Sequence, residues 1–156
     1  MKRFKKGDIA KVVKTYEGDD VSLGQVVRIS GGSGPWDYTV DGNDGVTDFV
    51  YDDQLVDASS KEKREFIYGV AIKKWGNRAQ LEMAQEEATE LALAVRAVIR
   101  GKDGSLEDLP GEIADVEIMI EQLKMMYPQL VKSVGYAKRT KIKRLKGRLD
   151  EGVFNG

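Results

Sequence analysis

The apolar residues of this chain follow two different periods. From Phe4 to Val56 they come in short alternating runs, as in strands; from Lys61 onwards they recur every three or four positions, as in helices. The first run, Asp8 to Tyr16, carries Ile9, Val12 and Val13 and ends at the turn cluster Glu17-Gly18-Asp19-Asp20. Leu23 to Ile29 is rich in β-branched residues and is followed by Gly31-Gly32-Ser33-Gly34-Pro35. Trp36 to Val40 alternates, with Trp36, Tyr38 and Val40 on one face. The loop Asp41-Gly42-Asn43-Asp44-Gly45 then leads into Val46 to Tyr51 and Gln54-Leu55-Val56. Five short strands in about fifty residues predict a small β-barrel over residues 1–57.

Beyond Asp57-Ala58-Ser59-Ser60 the pattern predicts four helices over residues 58–156. Ser60 is the expected N-cap of the first, Lys61 to Trp75, with Phe66, Ile67, Val70, Ala71 and Trp75 as its apolar face. Gly76-Asn77 is expected to break or bend it. The second runs from Arg78 to Arg100, with Leu81, Ala84, Ala88, Leu91, Val95 and Val98 as a packed seam. The third starts around Asp108 to Pro110 and runs to Met126, with Ile113, Val116, Ile120 and Leu123 as its seam. The fourth, Gln129 to Leu149, is strongly basic. The fold class that follows is α+β in two domains: a small N-terminal barrel, then an all-α four-helix bundle.

Composition narrows the chemistry. The chain has no cysteine and no histidine, so disulfides, thiolate metal sites and His-activated nucleophiles are excluded. No apolar run approaches the ~20 residues of a membrane span. Nor does an apolar segment follow the basic start, so a cytoplasmic location is expected. The net charge of −1 conceals a gradient: residues 1–57 hold 7 basic and 11 acidic residues, residues 58–156 hold 18 and 15. Seven aspartates between Asp37 and Asp57 would repel a phosphate backbone, which makes the first domain a poor nucleic-acid binder.

The candidate chemistry lies in two acidic motifs. Glu86-Glu87-Ala88-Thr89-Glu90 reads E-E-x-x-E, and Glu112-Ile113-Ala114-Asp115 reads E-x-x-D. Residues three apart share a helix face, so Glu87 projects with Glu90 and Glu112 with Asp115. If the two helices pack antiparallel, four carboxylates converge, which is favourable around a hard divalent cation. Glu112 falls on the apolar stripe of its helix, four residues before Val116, where a carboxylate is costly unless paired or metal-bound. On spacing alone, the same carboxylates could equally be solvated surface charge or partners of the basic fourth helix.

Together with Gln80-Leu81-Glu82-Met83 before the first motif and Val116 to Leu123 after the second, this pattern resembles the MazG-type all-α nucleotide pyrophosphohydrolases, over roughly residues 66–149. In the first domain, Lys6-Gly7-Asp8-Ile9-Ala10 and Gly24-Gln25-Val26-Val27 resemble an SH3-like barrel. The pyrophosphohydrolase resemblance implies Mg2+, with Mn2+ as a substitute, held by Glu87, Glu90, Glu112 and Asp115. It implies hydrolysis of a nucleoside triphosphate between its α- and β-phosphates, giving the monophosphate and pyrophosphate, as in nucleotide-pool house-cleaning. Glu86, beside Glu87, would accept the proton of the attacking water. Arg100, Lys102, Lys138 and Arg144 would meet the phosphates and Trp75 the base. The family also implies a homodimer or homotetramer with sites shared between subunits. Pro110-Gly111 before Glu112, Gly135 in the fourth helix and the N-terminal barrel depart from the family pattern. Two other readings stand beside this one: a non-catalytic helical interaction or regulatory protein that retains the fold, and a nucleic-acid-associated regulator using the basic helix.

Overall fold

The computed structural model describes residues 3–32 and 37–150, and there the alternating runs form five strands: β1 (Ile9–Val12), β2 (Val26–Gly31), β3 (Tyr38–Gly42), β4 (Thr47–Val50) and β5 (Leu55–Asp57). Residues 33–35 of the expected turn, and Trp36, lie outside the described residues. All pairings are antiparallel, in the order β4-β3-β2-β1-β5. Alternation puts Ala10, Val12, Val27, Ile29, Tyr38, Val40, Val50 and Leu55 on one face, where Phe4 and Val21 complete a closed core. A bulge between Ile29 and Gly31 shifts the β2–β3 register.

The expected barrel does not close. β4 and β5 occupy opposite edges of an open sheet and do not pair among the described residues. Between them the chain makes a 3-10 turn at Asp52–Gln54, and its polar groups are met by side chains instead of a ladder. The buried Gln54 accepts from the Tyr51 N–H at 2.7 Å and donates to Asp19 Oδ2 at 2.7 Å.

Three helices follow, not a four-helix bundle: α1 (Ser60–Ile99), α2 (Ser105–Met126) and α3 (Gln129–Asp150). The first two expected helices are one element interrupted at Gly76, whose backbone (φ 80°, ψ 162°) is non-helical. The chain divides into two compact units at this residue, Met1–Gly76 and Asn77–Gly156, whereas the change of sequence pattern lies at residues 57–60. Residues 60–75 therefore belong to the same unit as the sheet, and Phe66 and Tyr68 are buried within it. Lys11 Nζ meets Glu62 Oε1 at 2.7 Å and Lys63 Nζ meets Asp57 Oδ1 at 2.8 Å. Trp75, expected on the apolar face, is 59 % exposed. At Gly76 an alanine would meet no neighbouring atom, so its cost is purely conformational, of the order of 1–3 kcal/mol. Gly76→Ala should either lower the melting temperature or, by turning residue 76 helical, raise the helical circular dichroism. No change in both would contradict the left-handed backbone there.

The cap of α1 is Ser59, not Ser60. The Ser59 N–H donates to Glu62 Oε2 at 2.9 Å while the Glu62 N–H donates to Ser59 Oγ at 3.3 Å, a reciprocal capping box. The Lys11 ammonium, then the Ser59 hydroxyl and N–H, hold the Glu62 carboxyl down at about 2. A depressed carboxyl stabilises the fold above its ordinary value of 4.5 and loses that contribution as the pH falls towards 2. Denaturation midpoints of wild type and Glu62→Gln should differ above pH 4.5 and converge as the pH drops to 2.

In the second unit the expected seams are largely unburied. Leu81 and Val95 of α1 and Ile113 and Ile120 of α2 are exposed, while Gln80, Ser105, Met119 and Gln122 are buried. Period alone marks an apolar stripe, and burial needs a facing element. α2 also starts a turn earlier than expected, at Ser105, with Pro110 inside it. Among the described residues no helix is long and apolar enough to cross a membrane.

Candidate metal centre

Two glycines shape the link between the acidic helices. Gly101 (φ 66°) ends α1, its N–H donating to Val98 O at 2.9 Å while the Lys102 N–H reaches Ala97 O at 3.1 Å. Gly104 (φ 74°) precedes α2, and Ser105 Oγ donates to Lys102 O at 2.6 Å. This turn sets Glu87 of α1 beside Glu112 and Asp115, which stand one turn apart on α2.

One carboxylate oxygen from each of Glu87, Glu112 and Asp115 lies within 4.8 Å of the other two. Among the described residues none of the three is in an ion pair. Burial, followed by repulsion from Asp115, Glu90, Glu86 and Glu112, pushes the Glu87 carboxyl above its ordinary range. Glu112 Oε2 is buried with no hydrogen-bond partner. A buried carboxylate oxygen without a donor costs the full desolvation penalty, so it marks a place where a cation would be welcome. An all-oxygen, all-anionic donor set suits a hard divalent ion such as Mg2+, which keeps further positions for water or phosphate. The residues present fit that ion.

The other expected site residues fall at different distances from this centre. Glu90 is exposed and outside the group of three, but with Glu112 it lines a cleft of about 520 Å³. The walls of that cleft also carry Lys102, Ser105 and Asp108, with Leu93, Ala94 and Ala97 as its apolar side. Glu86 is exposed and borders a separate shallow depression with Glu82, Gln85 and Glu90. Arg100 is exposed at the end of α1 and does not line the cleft. Lys138 and Arg144, exposed on α3, do not line it either. Trp75 belongs to the first compact unit, with Lys74 Nζ 5.5 Å from its ring centre, whereas the carboxylates belong to the second. Ser105 and Asp108 were not expected as site residues. Asp108 could have been found, since it precedes Glu112 by four residues and so shares its helix face.

Comparison with protein-family models, with curated proteins and with solved structures finds no match for this chain.

Proposed function

We propose that the chain is a divalent-cation-dependent nucleoside triphosphate pyrophosphohydrolase, releasing pyrophosphate and a nucleoside monophosphate. The observation that supports this reading is the convergence of Glu87, Glu112 and Asp115 around the unpartnered buried oxygen of Glu112. Those three, with Glu90 at the cleft wall, would hold Mg2+ or Mn2+. When bound, such an ion neutralises phosphate charge and makes a coordinated water more acidic. Lys102, on the wall of the same cleft, would bind a phosphate oxygen and stabilise charge that grows on the departing pyrophosphate. Glu86, the neighbour of Glu87 in the chain, would take the proton from the attacking water. Arg100, Lys138, Arg144 and Trp75 do not line the cleft and take no part in this reading; a homodimer or homotetramer is carried over from the family resemblance alone. The test is pyrophosphate release from a panel of ribo- and deoxyribonucleoside triphosphates with Mg2+. Release from one or more of them is the expected result; release from none, by folded protein, would end the enzymatic reading. The exposed apolar residues of α1 and α2 favour a second reading, a helical interaction protein, which that negative result would leave standing.

A further inference from the structure

α3 is a helix of 22 residues, none of them buried. At about 100° per residue, Val131, Val134, Ile142, Leu145 and Leu149 fall on one narrow stripe along its whole length, and all five are between 42 % and 58 % exposed. Lys132, Arg139 and Lys146 run down one side of the stripe; Lys141, Arg144 and Arg148 run down the other. The helix carries eight Lys and Arg residues against one acid, Asp150. An apolar strip between two cationic rows is complementary to a surface that is apolar inside and anionic at its rim.

We propose that α3 lies flat on an anionic phospholipid surface. Its five aliphatic side chains enter the boundary between headgroups and acyl chains, and the two basic rows meet the lipid phosphates. Lying on a bilayer is distinct from crossing one, and no described helix could cross. Lys138 distinguishes this occupant from another protein. It sits on the midline of the stripe, four residues from both Val134 and Ile142, and is exposed. In a dry seam against a second copy its ammonium would be stripped of water. At a lipid surface its four-carbon stem is buried while the ammonium reaches the phosphate layer. Two α3 helices face to face would also bring like-charged rows together. A nucleic-acid backbone would take the cations but leave the aliphatic stripe in water.

The experiment is flotation of the whole chain with vesicles of phosphatidylcholine alone and of phosphatidylcholine mixed equally with phosphatidylglycerol. Binding is expected to the mixed vesicles only, and to weaken with added salt. Ile142→Ser/Leu145→Ser and, separately, Arg139→Glu/Lys146→Glu should each weaken it by roughly tenfold or more. Both pairs are exposed, so both variants should keep the wild-type helical circular dichroism. Three results would overturn the proposal. The first is no binding to the mixed vesicles, whether or not the chain instead binds duplex DNA. The second is no binding from a dimer that Ile142→Ser/Leu145→Ser converts to monomer, which would give the stripe to a second copy. The third is undiminished binding by the serine variant, which would reduce the contact to charge alone.

Discussion

Glu112→Gln should lower Mg2+-dependent pyrophosphate release by more than roughly a hundredfold, because even residues that merely support metal ligands cost 10–100-fold when replaced. Glu112 is the residue to change because its Oε2 is buried and unpartnered, so it gains most from a cation. A glutamine keeps the shape and removes the charge. The same change separates loss of a ligand from loss of the fold. Without metal, the variant should be as stable as wild type or more so, since it relieves repulsion within the group of three carboxylates. With Mg2+ at a hundredfold excess over Kd, wild type should melt at a temperature higher by the order of 10 °C. The variant should show little of that shift. The pH dependence has a definite sign. A raised carboxyl such as Glu87 favours the fold while protonated, below its ordinary range, and loses that contribution as the pH rises through its raised value. Mg2+ offsets the resulting repulsion, so its stabilising effect should shrink as the pH falls through that raised value and Glu87 takes up a proton. An undiminished shift in Glu112→Gln would sink the metal assignment.

The second large effect concerns the sheet. Tyr38→Ala should destabilise the first unit by about 3–5 kcal/mol, a large share of the ~5–15 kcal/mol that holds a typical domain together. Tyr38 is 1 % exposed at the centre of the core. Its ring meets Phe4 edge-on at 5.7 Å. Its hydroxyl accepts from the Phe4 N–H at 3.0 Å and donates to Asp52 Oδ1 at 2.8 Å. The N-terminal segment, β3 and the 3-10 turn therefore meet at one side chain. Burial, more than any partner, pushes the hydroxyl's ionisation upward, so it remains a neutral donor. Tyr38→Phe keeps the ring and removes that donor, and should cost about 1–3 kcal/mol. Phe49→Ala on the edge strand β4, where Phe49 is 46 % exposed, serves as the control and should cost far less. Denaturation midpoints, with hydrogen exchange of the β2 and β3 amides to isolate this unit, would measure all three. A cost for Tyr38→Ala no greater than that of Phe49→Ala would refute this account.

Much of this was written in the local pattern. The strands were legible because their β-branched residues alternate between turn clusters such as Glu17-Gly18-Asp19-Asp20, and alternation depends on nothing beyond the strand itself. The interruption at Gly76 was legible from Gly76-Asn77. So was the pairing of Glu112 with Asp115, since positions three apart always share a helix face. Closure of the sheet was not legible, because it depends on whether β4 meets β5, residues remote in register. Nor was the way the chain divides: residues 60–75 have a helical period, yet they form one compact unit with the strands. Period cannot show which partner a stripe meets, and on α3 no residue of the stripe is buried. The carboxylate group shows the same division. Sequence alone determined that Glu87, Glu112 and Asp115 lie on helices that a short glycine turn connects. Tertiary structure decided that these three converge and that Glu90, although it shares its helix face with Glu87, lines the cleft beside Glu112 without joining the group.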